Sequence, residues 1–500
     1  MTTPFPKATI VGYPRLGAKR ELKRALEAYW AGRGDEDELR ATARQTRLTV
    51  YQNLYDNGLT EPAAIPATFY YYDQVLDAVW MLGAVPKRFG DAKGLPGYFL
   101  LARGEGDIAP LEMTKWFDTN YHYLVPEIGP DTPLEFKRDT PVKLFKEAKE
   151  EGFVTRPAVV GPLTFLLLSK AAKDAPEDFN PIDRLADIAV PYAEPLGALH
   201  EAGAPWMQLD EPGVTSDMLG ASEEEVAALV RGTYEYLGQL KNRPQILVTT
   251  QYGAAPLAVE ALTETPVEAI QAPLVRSRET PAEGFAGKTF VAGVINGRNI
   301  WRGDLQRKLD ILEDLKKQLG EDADLSICTT TSLLHVPHTT AAEQWEDPAL
   351  DADLHLWLAF ADEKVKEVVA LAKGMEEGPE AIKDELDVAN AATKRRDEAE
   401  GVTVAVRDRV ANLTDADKER APYPERVKAQ EHLGLPPLPT TTIGSFPQTP
   451  EIRRARAEHA KGALSDEAYE ERLQEEIKRV IDLQEELGLD VLVHGEAERN

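Results

Sequence analysis

Five cations fall within ten residues near the start of the chain: Arg15, Lys19, Arg20, Lys23 and Arg24. Arg15, Lys19 and Lys23 recur at i, i+4 and i+8, the spacing of one helical face. Such a segment suits a multiply anionic ligand, either phosphates or a string of carboxylates, and it equally suits a solvated face paired with Glu21 and Glu27. A second cluster is Asp210-Glu211, directly after the apolar run that starts at Trp206. Carboxylates at a strand end offer general acid–base work or substrate anchoring. A glycoside hydrolase using Asp210 and a distant acid is a rival on this feature alone. Adjacent strand residues point to opposite faces, however, which places the two badly as a catalytic pair. The plain structural alternative is helix capping by Asp210 and an ion pair for Glu211. His335 and His338, with Cys328 upstream, are of metal-ligand type. No fourth ligand accompanies them, and strand-end histidines of this kind are commonly just hydrogen-bonded. The last cluster joins Ile443, Gly444 and Ser445 to Glu496. The glycine admits a ligand close to the backbone, Ser445 suits a carboxylate, and Glu496 accepts from an ammonium group. Together they suit an amino acid.

The cation cluster stands out because the chain is acidic. Its 500 residues carry 57 Lys and Arg against 85 Asp and Glu, a net charge of −28. That balance repels phosphate backbones, so a nucleic-acid partner is not expected. With 43% apolar and 28% charged residues, the composition is that of a soluble globular protein. The single cysteine, Cys328, excludes an internal disulfide, a CxxC pair and a multi-cysteine zinc ribbon. The first residues lack the apolar core of a signal peptide, and no run approaches the roughly 18 apolar residues of a membrane span. The expected compartment is the cytoplasm, with no membrane partner.

These residues need a scaffold, and the pattern predicts one. Eight strand-like runs precede residue 330: Ala8–Gly12, Ala64–Phe69, Ala158–Gly161, Trp206–Asp210, Ile246–Thr250, Glu268–Ala272, Thr289–Ile295 and Leu325–Thr329. Helical patterns such as Arg20–Trp30, Glu223–Leu240 and Leu305–Leu319 separate most of them. Eight strand–helix units predict a (β/α)8 barrel, with a doubly wound open sheet as the alternative. On a barrel, the segment after the first strand and the Asp210-Glu211 pair both lie at the face where active sites are built. Almost ninety residues separate the second and third strands, an insertion holding Lys115 and the aromatic run around it. Residues 341–434 read as a charged, solvated helical linker, and the prolines near 435 mark a boundary. The run Ala8–Pro14 resembles Thr441–Pro447, each followed by an Arg- and Ala-rich helix and then a longer one. The repeat predicts a second barrel opening at 435–500, with Asp490–His494 as its second strand. The chain reads as stopping inside it.

Nine segments, in order along the chain, resemble one family, the cobalamin-independent methionine synthases (5-methyltetrahydropteroyltriglutamate–homocysteine methyltransferases). They are the stretches 12–23, 71–76, 112–118, 161–165, 208–212, 296–301, 332–337, 443–447 and 494–500. The resemblance implies two (β/α)8 barrels joined by helices. It implies methyl transfer from 5-methyltetrahydropteroyltri-L-glutamate to L-homocysteine, giving L-methionine, the last step of methionine biosynthesis. It also implies a zinc ion that holds the homocysteine thiolate in the second barrel. By position, Arg20, Glu21, Leu22 and Lys23 match the folate-binding segment and Lys115 a distal folate contact. Ile443, Gly444, Ser445 and Glu496 match the homocysteine and methionine contacts. A polyglutamate tail is a string of carboxylates, which suits the cation cluster.

The family's zinc ligands and its catalytic histidine fall later than residue 500, and Cys328, His335, His338 and His494 match none of them. A thiol is a nucleophile only as thiolate, and the folate amine is a poor leaving group without a proton. The 500-residue chain alone is therefore expected to lack methyl-transfer activity. A non-catalytic polyglutamate-binding or scaffold barrel is the alternative. A monomer is expected.

Overall fold

The computed structural model describes residues 3–215, 221–274, 284–320, 322–399 and 401–499. It divides into two compact units, Met1–Val402 and Thr403–Asn500. Strands of the first unit are, in chain order, β1 (Pro66–Ala67), β2 (Met113–Lys115), β3 (His122–Leu124), β4 (Glu127–Ile128), β5 (Arg156–Val160), β6 (Lys170–Ala171), β7 (Trp206–Asp210), β8 (Gln245–Thr249), β9 (Ala269–Pro273), β10 (Thr289–Ile295) and β11 (Asp324–Thr329). Its helices are α1 (Glu21–Trp30), α2 (Glu36–Asp56), α3 (Gln74–Leu82), α4 (Gly94–Arg103), α5 (Thr140–Glu150), α6 (Pro162–Leu167), α7 (Leu185–Ala202), α8 (Glu223–Gly238), α9 (Pro256–Thr263), α10 (Leu305–Leu319), α11 (Pro348–Trp357), α12 (Ala361–Glu377) and α13 (Lys383–Asp397). Seven strands form one parallel sheet in the order β1-β5-β7-β8-β9-β10-β11. β2 and β3 make a separate antiparallel hairpin inside the long insertion.

Both faces of the sheet are buried, as a parallel sheet covered by helices requires. The period-2 alternation sorts the side chains. Trp206, Leu247, Ala269, Val291 and Cys328 form an inner cluster, while Met207, Leu209, Ile246, Val248, Ile270 and Phe290 pack outward with the helices. Phe5 meets Trp206 edge-on at 4.8 Å and fills one end of the interior.

The eighth expected strand, Ala8–Gly12, is not a regular strand. It keeps one parallel bridge, Ala8 to Ile327, with Thr9 N–H donating to Ile327 O (3.0 Å) and Ile327 N–H to Lys7 O (2.8 Å). Side chains take the rest of its hydrogen bonds. Thr9 Oγ1 donates to Ala64 O (2.7 Å), and Val11 N–H donates to Thr329 Oγ1 (3.2 Å). Arg156, fully buried inside the ring, donates to Thr9 Oγ1 (2.9 Å), Ile10 O (3.0 Å), Ala63 O and Gln208 Oε1 (3.0 Å). Side-chain bonds of this kind replace ladder bonds, so the segment is extended yet closes the ring between β11 and the residues before β1. The expected strand Ala64–Phe69 likewise shrinks to β1, where Pro66 has no N–H to give a ladder.

The linker expectation is corrected over its first half. α12 is not a solvated helix. It buries Val365, Val368 and Leu371 against the barrel, with Lys364 donating to Trp301 O (3.1 Å) and Glu367 accepting from Gly303 N–H (2.9 Å). Its charged composition hides an apolar face at helical spacing, and that face rather than the charge decides the packing.

The second unit contains α14 (Val404–Ala411), α15 (Asp415–Lys418), α16 (Tyr423–Gln430), α17 (Pro450–Ala460) and α18 (Asp466–Glu486). The sequence repeat is a structural one. α1 and α2 have 10 and 21 residues, and α17 and α18 have 11 and 21. The long helix starts at a capping side chain in both copies, Asp35 for α2 and Ser465 for α18. The expected strand Asp490–His494 is absent: residues 490–494 are irregular. Asp490 and Val491 N–H reach Thr440 O at 3.2 and 3.0 Å, without a continuing ladder among the described residues. No helix of the described residues is long and apolar enough to cross a membrane.

Arg156 sets the first prediction. Arg156→Met keeps the volume but leaves Gln208 Oε1 and two carbonyls without donors, and is expected to cost about 2–4 kcal/mol. A urea-unfolding midpoint equal to the wild type's contradicts that role.

Candidate functional site

The cation segment does not lie on one helical face. α1 begins only at Glu21, after Arg20 adopts the left-handed conformation (φ 59°). Lys19, Arg20 and Arg24 are exposed and Lys23 is half-exposed, with Glu27 3.6 Å away. Glu21 turns back to accept from Lys19 N–H (3.0 Å). Leu22 is fully buried in the core and its N–H is held by Leu16 O (3.0 Å), so it anchors the segment. Arg15 is withdrawn: it sits 4.5 Å over the Tyr70 ring and donates to Tyr72 O (2.6 Å). Burial, not helix periodicity, separates it from the other four.

Lys115 is exposed on the β2–β3 hairpin. The tip of that hairpin packs over the barrel mouth. Phe117 stacks on Tyr252 (5.1 Å, 14°), Trp116 meets Tyr252 edge-on, and Arg298 donates to Asp118 Oδ1 (2.7 Å). Phe117, Gln251 and Tyr252 all have positive φ (51°, 31° and 56°), conformations costly for such side chains and held by this packing. Tyr121, in the hairpin turn, lies near Arg15 without a hydrogen bond to it: Arg15 Nη1 and the Tyr121 hydroxyl are both buried without a partner. The Gln251-Tyr252 aromatic seat went unnoticed in the sequence, although its place just after an expected barrel strand was a usable signal.

The mouth beneath the hairpin holds Asp210, and the roles of the carboxylate pair are the reverse of the capping expectation. Asp210 faces the interior, where its Oδ1 accepts from Thr249 Oγ1 (2.7 Å), Gln208 Nε2 (2.7 Å) and Gln251 Nε2 (3.1 Å). Glu211 points the other way and caps α6, accepting from Leu163 N–H (3.2 Å), Thr164 N–H (2.6 Å) and the Tyr234 hydroxyl (2.7 Å). The carboxylate lies so close to Gly161 that an added Cβ would stand 2.3 Å from it, so glycine is required there. Burial raises Asp210 to about 6 and Glu211 to about 7, with their hydrogen bonds pulling the other way. Asp210 and Glu211 do not form a catalytic pair, because only Asp210 of the two faces the mouth.

The histidines are engaged by tyrosines. His335 Nε2 lies 2.7 Å from the Tyr252 hydroxyl, and burial lowers this imidazole to about 4, so it is neutral. His338 Nδ1 lies 3.3 Å from the Tyr13 hydroxyl. Cys328 is buried in the barrel interior, its thiol pushed up to about 12 by burial. Among the described residues no group of three or more His, Cys, Asp or Glu is placed to hold a metal. They do not fit the zinc that the resemblance implies.

In the second unit, Ile443, Gly444 and Ser445 are exposed. The structure does bring this segment to Glu496, since Phe446 N–H donates to Gly495 O (2.7 Å). Gly495 has φ 76°, and an added Cβ would lie 2.3 Å from the Phe446 ring, so only glycine permits this crossing. Glu496 accepts from Arg499 (2.6 Å). Asn500, which ends the last matching stretch, lies outside the described residues.

Seven parallel strands closed by the irregular segment 7–11 and covered by helices make a (β/α)8-type barrel, with a cation-bearing first loop and a hairpin over its mouth. The chain belongs to the cobalamin-independent methionine synthase family: residues 7–320 match the model of the cobalamin-independent synthase N-terminal domain and residues 438–500 that of its catalytic domain. It is 47% identical over 508 residues to the 5-methyltetrahydropteroyltriglutamate–homocysteine methyltransferase of Streptomyces coelicolor, covering 99% of this chain and 64% of that protein. It is 46% identical to the protein of that name from Mycolicibacterium paratuberculosis, covering 100% and 65%. The chain therefore spans 64–65% of the length of these relatives. A B12-independent methionine synthase from Shewanella sp. W3-18-1, solved with selenomethionine, shares the fold at TM-score 0.51 and 16% identity, covering 75% of this chain and 98% of that one.

Asp210 gives a pH-dependent prediction. Its pKa is higher folded than the ordinary carboxylate value of 3.8, so the folded state disfavours the charged form and loses stability as pH rises from about 4 through about 6. An asparagine keeps the Oδ1 acceptor without the charge. Asp210→Asn is expected to stabilise the protein by roughly 1–3 kcal/mol at pH 7, with the gain vanishing below about pH 4. Thermal melts across pH 4–8 check this, and a variant less stable at pH 7 refutes it.

Proposed function

We propose that this chain serves methyl transfer from 5-methyltetrahydropteroyltri-L-glutamate to L-homocysteine, the reaction named for its relatives. In that reaction a carbon–nitrogen bond to the folate breaks, a carbon–sulfur bond forms, and the departing amine takes a proton. The observation that carries the proposal is local. Four accessible cations at 19–24 lie in a chain of net charge −28, and Lys115 is exposed on the hairpin beside the barrel mouth. A string of γ-linked carboxylates is the substrate part that such a surface attracts. Arg20, Glu21 and Lys23 would meet the tail, with Leu22 holding the loop, and Lys115 would take a more distal carboxylate. Ser445 with the neighbouring backbone and Glu496 would hold the homocysteine carboxylate and ammonium.

The second reading, a barrel that binds polyglutamate without catalysis, is favoured by one observation, the lack of a metal-holding cluster among the described residues. We infer accordingly that a polypeptide of these 500 residues does not by itself turn over. Purified polypeptide supplied with zinc, methyl-folate triglutamate and homocysteine is expected to form no methionine, and measured turnover refutes this.

Binding separates folate recognition from both readings. Calorimetry is expected to show tighter binding of the triglutamate than of the monoglutamate. The double variant Lys23→Ala, Lys115→Ala is expected to lose about tenfold in triglutamate affinity while leaving the monoglutamate unchanged. Equal affinity for the two tail lengths, or an unaffected double variant, overturns the tail site.

A further inference from the structure

The barrel wall is open between β1 and β5. These strands pair at only two positions, Pro66↔Arg156 and Ala67↔Pro157, whereas β5 stays paired with β7 as far as Val160. Beyond Ala67 the chain turns away, leaving Ala158 and Val159 half-buried in the middle of a barrel strand. The gap is the side of a cleft that runs from the mouth, under Trp116 and Tyr252, to α3 and the start of α5.

Its walls are largely apolar and aromatic; the carboxylates of Asp210 and Asp77 face it, beside polar residues such as Gln251 and Ser332 and the buried, unpartnered Trp116 Nε1. Asp210 places all three of its donors on Oδ1, so nothing among the described residues donates to Oδ2. Asp77, on α3, accepts from the Tyr98 hydroxyl through Oδ1 (2.6 Å), again leaving Oδ2 without a donor. Gln74 Oε1 is buried without a partner. Among the described residues, the cations acting on these carboxylates are Arg156, which reaches Asp210 through Gln208, and Arg15, which is held by Tyr72 and Tyr70 with Nη1 left without a partner. Buried carboxylates with spare oxygens cost stability unless a cation or a set of donors completes them.

We propose that this cleft is a binding site for an organic cation, an ammonium or amidinium group on an apolar or aromatic body, with Asp210 and Asp77 as its anions. The site is separate from the loop that would grip a folate tail, and it does not depend on methyl transfer. Burial raises Asp210 to about 6 and Asp77 to about 7, as expected of carboxylates awaiting a counterion. The aromatic residues at the mouth would add attraction for the cation.

Titration calorimetry of the 500-residue chain with 4-phenylbenzamidine tests this, with the neutral isostere 4-phenylbenzamide as control. The amidine is expected to bind with a dissociation constant below about 1 mM. The amide is expected to bind at least about tenfold more weakly. Asp210→Asn and Asp77→Asn keep the Oδ1 acceptors and are expected to remain folded by thermal melting, each losing about tenfold in amidine affinity. Equal binding of amide and amidine, no binding of the amidine, or full affinity in both folded variants overturns the proposal.

Discussion

A single buried guanidinium closes the barrel. Arg156 rises from β5 into the ring and donates to groups on three other segments: Thr9 and Ile10, Ala63, and Gln208. Burial pulls its pKa down to about 10, still leaving it charged at neutral pH. A guanidinium has a fixed fork of donors, so it can join chain segments that have no ladder between them. The irregular segment 7–11 and the two-residue β1 are tolerated because this side chain supplies the bonds that their backbones do not exchange. The same economy opens the wall beside β1. The barrel is therefore closed at its base by Arg156 and open near its mouth.

Gln208 carries that base to the mouth. It accepts from Arg156 and donates to Asp210, so the position of the mouth carboxylate is linked through two hydrogen bonds to barrel closure. Asp210 and Glu211 then diverge by strand alternation alone. One enters the mouth, and the other seats α6 and Tyr234. Above them the β2–β3 hairpin is held by aromatic stacking on Tyr252 and by Arg298. The proposed folate-tail site and the proposed cation cleft thus rest on adjacent parts of one scaffold, yet use different residues: exposed cations for one, buried carboxylates for the other.

Much of this was legible in residue patterns. Trp206–Asp210 and Thr289–Ile295 are strands with the expected bounds, because short β-rich runs between turn signals leave little choice. The duplicated opening was legible too, since a strand-like run, a short helix and a capped 21-residue helix recur with their boundary residues. The failures share a cause. Ala8–Gly12 had strand composition, but its hydrogen-bond partners were side chains far along the sequence. α12 looked like a solvated linker because its charges outnumber its apolar stripe. Asp490–His494 has the composition of a strand, but a strand exists only with a paired neighbour.

The amino-acid sequence by itself determined the fold class, the family, the repeat and the concentration of cations at 15–24. These follow from local periodicity, charge and motif order, which need no partner to be read. Only the tertiary structure decided which of those cations meets solvent, which member of Asp210-Glu211 faces the mouth, and that His335 and His338 serve tyrosines. It alone placed Asp77 and Asp210 on one cleft, from positions far apart in the chain. The physical reason is that burial and hydrogen-bond partnership are properties of pairs brought together by folding. A residue's type states what it can donate or accept, and only the packed neighbours settle whether it does.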